Sequence, residues 1–251
     1  MNSHKKGKIL VVDDDITVCK SISQAISIEG YDVDTALSGE EALKKDMKSP
    51  YDLIITDLMM PGISGLELLK SLKPRRPDVK LIMVTGYPTI KTAVESIKIG
   101  AFDYIAKPFT PQDIRSVIHR ALKTAKIEPK MAMPPGLYYI SGHTWLRREE
   151  KSRVTVGITA DYLQTIGDIT RVELPSENQS ISQGEVCAHI EDDNKFVHPV
   201  WSPITGRILE INTTLLKNFQ LLSKYPYDKA WLFRVKASNL EEDIKGLKPS
   251  E

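Results

Sequence analysis

Asp13, Asp14 and Asp15 stand together directly after a short apolar run, and Asp57, Thr85 and Lys107 each close another such run. Carboxylates gathered at one place repel one another, so the group is costly unless a cation sits in it. Oxygen ligands with no histidine or thiolate among them point to Mg²⁺. A lysine across the pocket supplies a second positive charge, and the Thr85 hydroxyl supplies a hydrogen-bond donor. Metal, amine and hydroxyl around one carboxylate make a site for phosphoryl transfer onto that carboxylate. The cations neutralise the equatorial oxygens while an Asp57 oxygen attacks in line. A lone aspartate at a strand end is otherwise a turn or cap residue, and Asp15 is read in that way, as a helix N-cap.

These side chains meet only if the right elements hold them. Apolar strand-like runs cover residues 8–13, 31–36, 53–57, 81–85 and 104–107. Between them lie segments of helical period, such as 16–29 and 65–72. The last helix reads Ile114, Val117, Ile118, Ala121, Leu122, a single apolar stripe. Strands alternating with helices predict an α/β unit with a parallel sheet covered on both faces. In such sheets the active crevice lies beyond the carboxyl ends of the strands, where the aspartates, Thr85 and Lys107 fall. Residues 126–136, KIEPKMAMPPG, carry three prolines and a glycine without periodicity and read as a linker.

After the linker the pattern changes. Residues 153–158 alternate with β period, and 169–174, 187–191, 206–211 and 231–236 continue the series between Gly, Pro and Asp turn clusters. Short strands so spaced predict an all-β sandwich. Helices are expected at 162–166 and 215–223, and the charged end, 239–251, is expected to be frayed.

The 251 residues favour two domains. With 41% apolar and 27% charged residues, the chain reads as a globular protein of the cytoplasm able to bury real cores. No apolar run approaches a membrane span, and the run after the basic start is too short for a secretory signal. Residues 1–125 hold 18 Lys/Arg against 16 Asp/Glu, and residues 126–251 hold 16 against 17. Neither half has the basic footprint of a nucleic-acid-binding module. Cys19 and Cys187 fit no metal or redox spacing and read as buried hydrophobes.

The motifs ILVVDDD, DLIITDLMMPGISG, IMVTGY and FDYIAKPF resemble the receiver domain of two-component response regulators, over about residues 7–125. The resemblance implies a five-stranded parallel, doubly wound, flavodoxin-like sheet. It implies that Asp57 is the phosphoacceptor for a sensor histidine kinase. Asp14 would bind Mg²⁺ directly and Asp13 largely through water, with Asp57 and the backbone carbonyl of Met59 completing the protein ligands. Thr85 and Lys107 would hold the phosphoryl oxygens. Thr85 and Tyr104 would be a switch pair, the hydroxyl drawn to the phosphate and the ring turning inward. The helix near residues 89–99, with the last strand and helix, would form the face that changes. Receivers often pair through their last helices, so a phosphorylation-dependent homodimer is a further expectation. Such a protein signals and is not an enzyme beyond its own phosphoryl transfer and dephosphorylation.

The second half holds no assembled catalytic set. His143, His189 and His198 are scattered and read as ordinary histidines. One feature has chemical interest: the acidic turn EDDNKF, with Lys195 near its tip, where a long amine stands open to modification. The alternative is a solvated charged turn. The stretch GHTWLRREEKSRVTVGITADYLQTIGDITRVELP, followed by WSPITGRILEIN and KYPYDKAWLFRVKASN, is similar to the glycine cleavage system H protein over about residues 137–240. That resemblance implies a mainly-β lipoyl-type sandwich, a barrel-sandwich hybrid, with lipoate on Lys195 and lipoyl-dependent or glycine-cleavage enzymes as partners. The sequence departs from the family's Glu-Ser-Val-Lys stretch, and one extra residue lies between Gly184 and the lysine. Three readings therefore stand side by side: a response regulator with an H-like output domain, a lipoyl carrier under receiver control, and an H-like docking surface.

Overall fold

The structure, a computed structural model, describes residues 7–86, 90–123 and 131–250. The chain forms two compact units, one mostly before residue 125 and one mostly after residue 126.

In the first half of the chain the order is β1 (Lys8–Val12), α1 (Ile16–Ser27), β2 (Asp32–Ala36), α2 (Gly39–Lys48), β3 (Leu53–Asp57), α3 (Gly65–Leu72), β4 (Lys80–Thr85), α4 (Ile90–Ile99), β5 (Asp103–Ala106) and α5 (Pro111–Lys123). The strands lie in the order β2-β1-β3-β4-β5, all parallel. This is the flavodoxin-like arrangement, with its crevice beyond the carboxyl edge at the β1/β3 switch point. The central strands are mostly apolar because both faces are covered, and β3 is buried at every residue. On one side, Ile9, Val11, Leu53, Ile55, Ile82 and Val84 pack with apolar stripes of α1 and α5.

Local chemistry starts the helices. Asp15 caps α1 by accepting from the Thr17 N–H, as the sequence predicts. Ser64 and Glu67 form a reciprocal capping box on α3. Gly65, in the first turn of α3, is fixed by space: a Cβ there would lie 2.2 Å from the backbone oxygen of Asp57.

The second unit runs β6 (Leu137–Tyr139), β7 (Thr144–Arg148), β8 (Arg153–Ile158), α6 (Ala160–Thr165), β9 (Ile169–Glu173), β10 (Ser180–Ile181), β11 (Val186–Asp192), β12 (Val197–Trp201), β13 (Gly206–Ile211), α7 (Thr213–Lys217), α8 (Leu221–Lys224), β14 (Phe233–Ala237), α9 (Leu240–Ile244) and β15 (Lys248–Pro249). Two antiparallel sheets result, β10-β13-β14-β8-β7-β6-β15 and β12-β11-β9. Trp145 is fully buried, and its indole N–H is shared between the Ile158 and Pro226 carbonyls.

Two expectations need correction. The helix at 215–223 is two short helices, because the chain leaves helical geometry at Asn218. Residues 239–250 are not frayed. The Asp243 carboxylate accepts from the Thr205 N–H, Gln183 donates to the Asp243 carbonyl, and Leu247 is buried. Lys248–Pro249 then pairs with β6. A charged segment carries little local signal, and its order comes from polar anchors on a folded neighbour. Of the expected linker, residues 126–130 lie outside the described residues, and 131–136 contain no helix or strand. Thr89, at the expected start of α4, also lies outside them. No helix among the described residues is long and apolar enough to cross a membrane.

Candidate functional site

The parallel sheet brings the predicted residues to one edge. Asp13 follows β1, Asp57 ends β3, Thr85 ends β4, and Lys107 follows β5. One carboxylate oxygen from each of Asp13, Asp14 and Asp57 lies within 4.8 Å of the other two. Asp13 and Asp57 are buried and Asp14 is exposed. Lys107 Nζ is 2.7 Å from Asp13 Oδ2 and 3.4 Å from Asp57 Oδ1. The other Asp13 oxygen accepts from the Asp15 N–H at 2.9 Å, which fixes that carboxylate from both ends.

Asp57 Oδ1 is buried and, among the described residues, accepts no hydrogen bond. Burial pushes the Asp57 carboxyl up from its ordinary value; Lys107 opposes this, and Asp13 adds to it. For Lys107, burial works against the charge, but its bonds to Asp13 and its attraction to Asp57 hold the amine above its ordinary value. Three carboxylates and one ammonium leave two negative charges, an Asp57 oxygen met by the Lys107 ammonium at 3.4 Å but by no hydrogen bond among the described residues, and only hard ligands. That set fits a small divalent cation such as Mg²⁺.

Thr85 is buried at the end of β4, and its carbonyl accepts from the Lys107 N–H at 2.7 Å. The Lys107–Pro108 peptide is cis. Met59 lies two residues past Asp57, and its side chain is exposed. Tyr104, on β5, is 2% exposed, so its ring already lies inside.

In the second unit Lys195 stands at the tip of the β11–β12 hairpin. Its side chain is 73% exposed, with Nζ 3.2 Å from Glu191 Oε1. The Lys195 N–H donates to the Asp192 carbonyl, and the Asp192 N–H to the Phe196 carbonyl, closing a three-residue loop. An exposed primary amine on a short loop fits a group attached through an amide.

Beneath this loop lies a pair that was missed in the sequence. Asp192 and His198 are both fully buried, and His198 Nε2 is 3.0 Å from Asp192 Oδ2. Asp192 Oδ1 accepts from the N–H groups of Asn194 and Phe196. The available signal was strand alternation. Ile190 pairs with His198, so Ile190, Asp192 and His198 share the inward face, while Glu191 and Val197 face outward. Burial pushes the Asp192 carboxyl up, but His198 and the backbone donors outweigh it and hold it below its ordinary value. A depressed folded value stabilises the fold above the unfolded value, and that contribution is lost as pH falls through the folded one. We expect Asp192→Asn to flatten the acid limb of unfolding of this unit below about pH 4. An acid limb that overlays wild type in a fluorescence-monitored titration contradicts this.

Comparison with known proteins follows the division into two units. Residues 9–119 match the family described as the response regulator receiver domain, and residues 137–251 match the glycine cleavage H-protein family. The transcriptional regulatory protein ZraR of Escherichia coli (strain K12) is 35% identical over 120 residues, which is 48% of this chain and 27% of that protein. A response regulator receiver domain protein from Clostridium thermocellum is 36% identical, covering 47% of this chain and 96% of that one, with a TM-score of 0.46. The glycine cleavage system H protein from Mycobacterium marinum is 28% identical, covering 42% of this chain and 87% of that one, with a TM-score of 0.39. The chain spans between 27% and 54% of the length of the curated relatives it matches. In one polypeptide, it joins a receiver domain of the two-component response regulator family to a domain of the glycine cleavage H-protein family.

Proposed function

We propose that this chain receives a phosphoryl group on Asp57 from a sensor histidine kinase, and that its H-protein-like domain passes the signal on by contacts with a partner protein. The observation that carries the reading is Asp57 Oδ1: a buried oxygen 3.4 Å from the Lys107 ammonium, beside two further carboxylates and without a hydrogen bond among the described residues. An Asp57 oxygen attacks phosphorus as the bond to the donor's imidazole nitrogen breaks, and that nitrogen leaves with its electron pair. Asp13, Asp14, Asp57 and the Met59 carbonyl would hold Mg²⁺, which supplies charge neutralisation on the phosphoryl oxygens. Lys107 is held by Asp13 at the edge of the pocket, where its ammonium meets the same oxygens. The Thr85 hydroxyl follows the phosphoryl group, and the Tyr104 ring, already buried, is held inside by that movement, which shifts a two-state equilibrium.

The relative ZraR is by its name a transcriptional regulator. In this chain the second half has near-balanced charge, which favours a protein partner over DNA as the proposed output. The reading is tested by labelling the full chain with a small phosphodonor such as acetyl phosphate. Chelating Mg²⁺ should slow labelling about 100-fold, in keeping with several kcal/mol of charge stabilisation by a bound metal. Equal rates with and without chelator would overturn the metal assignment.

A second reading has its own observation, the exposed Lys195 amine on a short hairpin loop. In it the H-protein-like domain carries lipoate on Lys195 and serves lipoyl-dependent or glycine-cleavage enzymes. Protein purified from its host should then show a lipoyl mass increase that Lys195→Ala removes. An unmodified intact mass, in cells whose other carriers are lipoylated, leaves the docking role alone.

A further inference from the structure

Lys195 has φ +65°, in the left-handed region. L-residues other than asparagine and aspartate seldom settle there, because Cβ crowds the following carbonyl oxygen. Glycine is the residue such a position favours. Two other described non-glycine residues share the conformation, Asn178 (φ +65°), whose side chain tolerates it, and Lys151 (φ +57°), in the β7–β8 turn.

What sets Lys195 apart is the structure built beneath it. A surface loop of three residues needs no buried ionisable pair, and burying one is expensive in desolvation. Here Asp192 uses one oxygen to hold the loop's N–H groups and the other to meet His198 Nε2, with both residues shut off from solvent. A second element clamps the same loop. The Asp193 N–H donates to the Asp168 carbonyl at 2.8 Å, and Thr170 Oγ1 donates to the Glu191 and Asp192 carbonyls. Gly167 leaves the room for this: a Cβ there would lie 2.3 Å from Asp193 Oδ1 and 3.2 Å from Asp192 Oδ2. A non-glycine residue held in a disfavoured conformation by an over-determined surround is the pattern of a functional position.

We propose that Asp192, His198 and Gly167 are positioning residues that hold the Lys195 loop in one strained shape, so that a modifying enzyme meets its amine as a preformed acceptor for an activated acyl group. The inference rests on the carrier reading of Lys195 and adds how the loop is presented. The acyl donor is of the acyl-adenylate class. The lysine nitrogen, deprotonated to water, attacks the acyl carbon, and the second proton it sheds on becoming an amide also goes to water. The amide C–N bond forms as the bond from that carbon to the phosphate oxygen breaks, and the nucleotide leaves with the electron pair. Acylation removes the ammonium and so ends the ion pair with Glu191.

The test uses the full chain. Lys195→Gly should raise the unfolding midpoint of the H-like domain by about 4 °C or more, since strain is relieved. Lys151→Gly is the matched turn elsewhere in the domain. A lipoate-attaching ligase with ATP and lipoate should acylate wild type at Lys195, and His198→Ala and Asp192→Asn should lower kcat/KM at least tenfold. His198→Gln keeps an N–H donor and should restore part of the loss, and it serves if His198→Ala does not fold. Acetylation of Lys195 by a small N-hydroxysuccinimide ester should be unchanged in the folded variants, because the amine is exposed in all of them. Lys151→Gly should leave ligase turnover as in wild type. Wild type acylated at the same rate as the Asp192 and His198 variants overturns the positioning roles alone. No ligase product with wild type overturns the carrier reading and this inference with it. A Lys195→Gly midpoint at or below wild type overturns the strain.

Discussion

Asp57→Asn in the full chain is expected to reduce labelling by acetyl phosphate with Mg²⁺ to below about 1% of wild type, as for loss of any obligatory nucleophile. The amide has nearly the same shape, so the pocket stays in place while the attacking oxygen is gone. The other carboxylates do not substitute. Asp13 is tied to Lys107 and to the Asp15 N–H, and Asp14 is exposed to solvent. The same substitution has an opposite sign for stability. Asp57 is a buried carboxylate facing Asp13, and its charge is disfavoured by burial. In a chelator at neutral pH, Asp57→Asn should therefore raise the unfolding midpoint of the receiver domain. Wild-type labelling of the mutant would remove Asp57 as the acceptor. A lowered midpoint would mean that the pocket carboxylates are not in conflict.

The second large effect lies at the pair of Asp103 on β5 and Arg120 on α5, both shut off from solvent and in direct contact. Asp103 Oδ1 also accepts from the Tyr104 N–H at 2.7 Å. The guanidinium further stands 5.6 Å over the Phe102 ring. Arg120→Ala leaves a carboxylate buried without its cation, which costs roughly 3–5 kcal/mol of receiver stability. Replacing both partners by apolar residues of similar volume, Asp103→Leu with Arg120→Met, should recover most of that loss, because no charge is then left stranded. Urea unfolding of the receiver transition in the full chain distinguishes the two. If the single and double variants are equally unstable, the loss comes from packing and not from the abandoned charge. The pair also ties α5 to the strand that carries Tyr104 and leads to Lys107, so Arg120→Ala should slow phosphoryl labelling as well.

Much of the receiver was legible because its signals are local and agree with one another. The strands β1 to β5 fall within a residue or two of their apolar runs, and Asp15 caps α1 where its position after β1 predicts. The second unit was legible as strands but less so in its ends and short pieces. β6 has three residues and β15 two, too few for any periodicity to register, and both exist because they pair with each other.

The sequence by itself determined which residue types end the strands of the first half, and from the alternation of strand and helix it placed Asp13, Asp14, Asp57, Thr85 and Lys107 at one edge. Strand ends converge in a parallel sheet whatever the details of packing, so the site needed only the order of elements. Tertiary structure alone decided the buried pairs. Asp192 and His198 are six residues apart in sequence, and Asp103 and Arg120 seventeen. Nothing in the composition of a charged turn or an amphipathic helix says that a carboxylate points inward. That depends on strand register and on which partner arrives opposite, and a carboxylate enters a core only when a donor is already there to meet it.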